Sequence, residues 1–214
     1  VLSIVKKKVQ IMALCWTLFL LLIFTMEAKA TADWCQVCEC HNRVINCTNK
    51  NFNGSILSWD LLPKDTEVLD LSSFGLRRKL SEHAFDGLLS LRTLNMSRNN
   101  ITSIRPGTLA ALKNMVHLDL SYNPIKPSTV RSSVFAALNE TKIKTLILKE
   151  VQFKVSKKTM QPLATTATKN STIKYIDFEG NNMLCKPLGS KICVFANIWS
   201  LQTLNFVKCQ CRQF

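Results

Sequence analysis

Four cysteines fall within thirteen residues as Cys35-x-x-Cys38-x-Cys40-x6-Cys47, with His41 among them. Thiolates and an imidazole at this spacing hold zinc in a reducing compartment, whereas in an oxidising one they form two disulfides. The N-terminus decides between these chemistries. Lys6, Lys7 and Lys8 precede an apolar run from Ile11 to Met26, and Ala28-Lys29-Ala30 has the small-x-small form of a leader cleavage site. The run falls short of the roughly 18 to 20 residues that span a bilayer. Cleavage after Ala30 is expected, so the cysteines should pair among themselves. Cys15 leaves with the leader and eight cysteines remain. Cys185 and Cys193 bracket a short segment and could pair locally; Cys209 and Cys211 cannot easily join each other, so either their partners lie beyond Phe214 or Cys209 is a buried cysteine in the asparagine column of the sixth copy. The three histidines, His41, His83 and His117, stand beside no nucleophile with a carboxylate, and six glycines would make a phosphate loop hard to build. No catalytic group, metal or cofactor is expected, and the activity should be binding.

The elements that position these residues repeat. Leu91, Leu94, Met96, Asn99 and Ile101 fit L-x-x-L-x-L-x-x-N-x-L, as do Met115, Leu118, Leu120, Asn123 and Ile125, then Ile173, Ile176, Phe178, Asn181 and Met183. Weaker copies start near Thr66, Ile143 and Leu201. Apolar residues two apart within each copy describe a short strand with one inward face. A single such strand cannot bury that face, so the copies must stack into a solenoid with a parallel sheet on its concave side. This is the leucine-rich-repeat signature. The predicted architecture is an α/β solenoid, a leucine-rich-repeat horseshoe with a parallel concave β-sheet and an N-terminal disulfide cap. Asn99, Asn123 and Asn181 should be buried and bond the backbone where the chain leaves each strand. Phe74 and Val151 occupy that column in two copies and cannot do so. Phe85 with Leu88, Leu109 with Leu112, Phe135 with Leu138 and Met160 with Leu163 should plug the convex side.

Fourth-position residues Leu69, Leu94, Leu118, Leu146, Ile176 and Leu204 set the register. The segments Lys154 to Lys158 and Thr165 to Thr172 lengthen the later copies and should bulge as loops. The organisation expected is a leader at 1–30, a cysteine-rich cap at 31–65, repeats one to five at 66–200, and the start of a sixth repeat or closing cap at 201–214. The chain opens on Val1, so either its start is missing or Met12 initiates, and the sixth copy stops after its strand. A fragment or truncated product is expected.

The chain carries 28 basic and 14 acidic residues, a formal charge of +14. Such an excess suggests a polyanionic partner. The central solvent-facing column of the sheet, however, reads Asp70, Asn95, Asp119, Ile147, Asp177 and Asn205. The cations Arg77-Arg78-Lys79 and Lys154 with Lys157-Lys158 are expected on turns and convex loops, so polyanion contact should be lateral or convex. Six N-x-[ST] sequons begin at Asn46, Asn53, Asn95, Asn100, Asn139 and Asn170 and imply a glycosylated surface. A glycan on Asn95 would stand on the concave face, and Asn100 should project from its turn.

The cysteine cap followed by Leu62-Pro63-Lys64-Asp65-Thr66 and Val68-Leu69-Asp70-Leu71-Ser72 resembles extracellular leucine-rich-repeat proteins. Asn139-Glu140-Thr141-Lys142-Ile143-Lys144-Thr145-Leu146, Asn170-Ser171-Thr172-Ile173-Lys174-Tyr175-Ile176 and the long irregular repeats resemble Toll-like receptor ectodomains, over Cys35 to about Phe206. That resemblance implies innate immune pattern recognition: binding of a microbial or danger-associated ligand, dimerisation with another ectodomain, and membrane anchoring in a full-length receptor. The small matrix proteoglycans have a similar cap, so a secreted matrix or adhesion protein, or a soluble decoy receptor, is the alternative.

Overall fold

The structure is a computed structural model that describes residues 33–50, 58–151, 172–181 and 200–205, all within the unit that begins at Asp33. Its spine is an eight-stranded sheet in the order β1 (Glu39–His41), β2 (Val44–Asn46), β3 (Val68–Asp70), β5 (Thr93–Asn95), β7 (His117–Asp119), β8 (Thr145–Ile147), β9 (Tyr175–Asp177) and β10 (Thr203–Asn205). All neighbours from β2 onward are parallel. Leu69, Leu94, Leu118, Leu146, Ile176 and Leu204 pair directly across it, because each copy has a single inward residue at its strand centre. The first five of these are fully buried.

The cap covers the open edge of the first repeat by joining the sheet. Cys35 bonds Cys40 and Cys38 bonds Cys47, so the expected pairing within the cluster is observed. The two bridges hold the antiparallel hairpin β1–β2, and Ile45 on β2 continues the leucine column of β3. Trp34 begins a one-turn helix, Trp34–Val37, whose N-cap Asp33 accepts from the Cys35 N–H. Its indole donates to the Ser58 carbonyl at 2.9 Å and packs on Trp59 at 5.3 Å and on Phe74 at 5.9 Å. Trp59 in turn meets Phe85 edge-on at 5.4 Å. Phe74 thus stands in the asparagine column because the first repeat must pack on the cap, and a ring seals that junction.

The turn that Phe74 cannot satisfy is served from the next repeat. Asn99 accepts from the Gly75 and Leu76 N–H groups, both at 2.9 Å, and donates to the carbonyls of Leu71, Met96 and Ser97. Asn123 accepts from Ile101 and donates to Met96, Leu120 and Ser121. Asn181 donates to Leu148, the first residue past β8, and so reaches the turn where Val151 stands. Each asparagine finishes its own turn and the one before it.

Among the described residues the convex side is built mostly from turns and extended segments. Phe85, Leu88, Leu109, Leu112, Phe135 and Leu138 are buried there, and among the described convex residues helix is found at Pro127–Thr129 and the π-helical turn Val130–Phe135. The earlier repeats instead add a parallel pair, β4 (Arg77–Leu80) with β6 (Asn100–Ile104). This corrects two expectations. The exposed Arg77 and Lys79 lie on strand β4, not on a loop, and Asn100 opens strand β6. The motif's tail after its asparagine stays extended and pairs with its copy one repeat away.

Candidate functional site

A solenoid offers its sheet as a binding surface, so the side chains pointing away from the core on the concave strands form the candidate site. The column predicted to face solvent does face that way, but much of it is committed to the turns. Asn46, Asp70, Asn95, Asp119 and Asp177 each use one side-chain oxygen to accept the backbone N–H two residues on, at 2.8–3.0 Å. These are Asx turns, repeated once per strand. Ile147 cannot make one, and the Lys149 N–H is accepted by the Ser121 hydroxyl of the preceding repeat at 3.2 Å. Sequence reasoning missed this function: Asp or Asn recurs directly after the strand-centre residue, but nothing in that recurrence marks its oxygen as spent on the backbone.

A second regularity lies one step further. Asn49, Ser73, Arg98, Tyr122 and Glu150 have φ between 45° and 65°, and Gly180 has φ 73°, at equivalent points of successive turns. The left-handed residue redirects the chain off the strand. Arg98 lies over the Tyr122 ring at 4.3 Å, so two of these strained positions stack on each other.

Asp177 departs from the open acidic column expected for it, being only 1% exposed. Lys149 reaches its carboxylate at 3.3 Å and Glu179 at 2.9 Å, the Tyr175 hydroxyl donates at 2.8 Å, and the Asn205 amide donates at 3.1 Å. Burial pushes the Asp177 carboxyl up. The Glu179 N–H, Tyr175, Asn205 and Lys149 outweigh it and hold the group below the ordinary carboxylate range. Hydrogen bonds from the ammonium to Glu179 and then Asp177 raise Lys149 above the ordinary lysine range, and the bond to Asp177 raises Tyr175. The cluster crosslinks β8, β9 and β10. What remains open on the concave face is Thr93, His117, Thr145 and Tyr175 in one column and the free side of Asp119 with Ile147 in the next, all half-buried.

No arrangement for acid–base or nucleophilic chemistry emerges among the described residues. His83 Nδ1 meets Asp86 at 2.8 Å, but the Ser81 hydroxyl accepts the His83 backbone N–H and not its ring. His41 contacts Asn42 on the cap rim, and His117 stands on β7.

Comparison with known proteins agrees with this geometry. The family described as leucine rich repeat matches residues 65–125. The fold is a leucine-rich-repeat solenoid. This leucine-rich-repeat chain is similar to Tsukushi of Xenopus tropicalis, 34% identical over 92 residues, which is 42% of this chain and 26% of the relative. It is also similar to Tsukushi-A of Xenopus laevis, 36% identical over 81 residues, 37% of this chain and 23% of the relative. Its spans are therefore about a quarter of those curated relatives. Among solved structures it resembles human 5T4, described as Wnt-activated inhibitory factor 1 and trophoblast glycoprotein, with 25% identity, TM-score 0.60, and coverage of 79% of this chain and 62% of that one. These likenesses support a leucine-rich-repeat protein with homology to Tsukushi and 5T4. They carry no specific sign of a Toll-like receptor.

Of the sequons of the leucine-rich-repeat chain, Asn46 and Asn100 have exposed side chains and Asn139 is half-buried. Asn95 is half-buried, with its amide donating to Asp70 at 3.1 Å and its oxygen accepting from Ser97. Asn53, Asn170, Cys185, Cys193, Cys209, Cys211, the Met160–Leu163 pair, the cations from Lys154 to Lys158 and the leader lie outside the described residues.

Proposed function

We propose that this protein is an extracellular binding module of the secreted or cell-surface leucine-rich-repeat kind, which captures a protein ligand on the concave face of β7 to β9. The observation that carries this reading is the disulfide-bonded cap zipped onto the sheet. Two bridges in a short N-terminal cap fit an oxidising compartment. Homology to Tsukushi and 5T4 favours a matrix, adhesion or signal-modulating protein over a Toll-like pattern receptor. The Toll-like reading, with its microbial ligand and ectodomain dimer, rests on repeat irregularity. Since 5T4 is described as a Wnt-activated inhibitory factor and a glycoprotein, restraint of an extracellular signal is a concrete form of the proposed activity.

The face suits a protein partner because Ile147, Thr145, Tyr175 and His117 mix apolar area with polar groups on a rigid sheet. The test is secretion of the chain from its own leader, followed by binding to immobilised collagen, secreted growth factors, bacterial lipopeptide and double-stranded RNA. Binding to a matrix or signalling protein, weakened at least ten-fold by Ile147→Glu, is the expected result. Binding confined to the microbial ligands would overturn it, as would a ligand indifferent to Ile147→Glu. A mobility shift on enzymatic deglycosylation, reduced stepwise by Asn46→Gln and Asn100→Gln, tests the glycoprotein part.

A further inference from the structure

Beyond residue 30 the positive charge of this chain is concentrated in one region. From residue 31 to 140 there are twelve Lys and Arg against ten Asp and Glu, a net of +2; from 141 to 214 there are twelve against three, a net of +9. The three late acids, Glu150, Asp177 and Glu179, stand at the C-terminal end of strand β9 or just beyond β8 and β9. Asp177 and Glu179 are already bound by Lys149. The opposite, strand-entry edge of the same sheet carries lysines.

Backbone bonds fix that edge residue by residue. Successive N–H groups of Glu67, Arg92, Val116, Lys144, Lys174 and Gln202 donate to the carbonyls of Arg43, Glu67, Arg92, Val116, Lys144 and Lys174, at 2.7–2.8 Å. The row therefore reads Arg43, Glu67, Arg92, Val116, Lys144, Lys174, Gln202. In its first half the charges are compensated: Arg43 meets Glu67 at 2.7 Å and Asp65 at 3.9 Å, and Arg92 meets Glu67 at 3.9 Å. In its second half Lys144 and Lys174 are adjacent, about 4.8 Å apart along the sheet, both exposed and in no ion pair among the described residues. Lys142 is drawn along the same edge by its bond to the Asn114 side-chain oxygen at 2.8 Å, while the nearby Glu140 is taken by Lys113. Like charges on neighbouring strands repel and weaken the sheet. An anion laid across them would reverse that cost.

We infer that the strand-entry edge at Lys142, Lys144 and Lys174 is a docking row for a sulfated polysaccharide chain. An extended polyanion fits because the cations lie along one edge, two at the entry to β8 and one at the entry to β9, with no walls among the described residues to enclose a small ligand. The sulfated polysaccharide is favoured over nucleic acid because the disulfide-bonded cap belongs to an oxidising, extracellular setting, where such polymers are the abundant anions. This goes beyond the protein-ligand reading and does not depend on it, since the row lies at the edge of the sheet and not on Ile147.

The experiment measures binding of the secreted chain to immobilised heparin across a salt series, beside an unsulfated uronate polysaccharide and a length-matched single-stranded oligonucleotide. Heparin should bind most tightly. Lys144→Gln/Lys174→Gln should weaken it at least ten-fold and lower the slope of log affinity against log salt by roughly two, with a melting temperature unchanged or raised. Lys144→Arg/Lys174→Arg should retain binding. Arg77→Gln/Lys79→Gln, on β4, should retain it too. Heparin affinity unchanged in the first variant, an equal loss in the β4 variant, or preference for the oligonucleotide would each overturn the inference.

Discussion

Replacing Asn99 by leucine should cost more than the same change at Asn123, although both are buried asparagines in equivalent turns. Asn99 accepts two backbone N–H groups, those of Gly75 and Leu76, because Phe74 leaves the first turn without its own acceptor. Asn123 accepts one, from Ile101. The carbonyls that either side chain serves keep other donors in part: Leu71 still receives Phe74 and Ser97 still receives Ser73. The unsatisfied N–H groups therefore dominate. A buried donor stripped of its partner costs about 1–3 kcal/mol. Leu76 is 4% exposed and bears that in full, whereas half-buried Gly75 is partly rescued by water. Asn123→Leu is expected to cost about 1–3 kcal/mol and Asn99→Leu roughly 1–2 kcal/mol more. Urea unfolding followed by far-ultraviolet circular dichroism, with unchanged m-values, gives both numbers from the midpoints. If Asn99→Leu proves equal to or milder than Asn123→Leu, the first turn is not satisfied from the second and the reasoning fails.

At Gly180 a Cβ would sit 2.5 Å from Glu150 Cγ at φ +73°, so Gly180→Ala should lower stability by about 1–2 kcal/mol in thermal melts, whereas Ser73→Gly, relieving φ 51°, should raise it by up to about 1 kcal/mol. The Asp177 carboxyl has a lowered folded-state pKa, so its stabilisation is present above the unfolded value near about 3.9 and disappears as pH falls through the lower one. Lys149→Met removes a cation from the carboxylate, so its melting temperature should start to fall at a higher pH than wild type on an acid titration, and coincident curves would dismiss the cluster. Cys38→Ser should destabilise the cap by about 2–4 kcal/mol, and Cys35→Ser by less, because the Cys38–Cys47 bridge closes the longer loop and is buried; non-reducing peptide maps should show the same two bridges.

The register of the sheet was readable because one apolar residue per copy marks the strand centre, and the second one two positions on shows which face points inward. The cap was readable because four cysteines behind a leader have few chemistries open to them. The Asx turns were hidden for the opposite reason. Asp70, Asn95 and Asp119 look like a ligand-facing column, since polar residues on a solvent column carry no mark of whether an oxygen is spent on the backbone two residues away. Arg98, Tyr122 and Glu150 give no hint of a left-handed backbone, which only Gly180 among them advertises. Trp34 became legible as a core residue only once Phe74 and Trp59 closed on it. Lys144 and Lys174 are thirty residues apart in the chain, and their adjacency requires the strand pairing that joins them.

Because Asn99, Asn123 and Asn181 each complete the turn that precedes them, the solenoid has a direction in time as well as in space. A nascent turn stays unsealed until its successor has been made. With successive strand centres at Leu69, Leu94 and Leu118, that lag is about two dozen residues, or roughly 1–5 s of synthesis. Completion of these turns during synthesis therefore needs the following repeat to have been made.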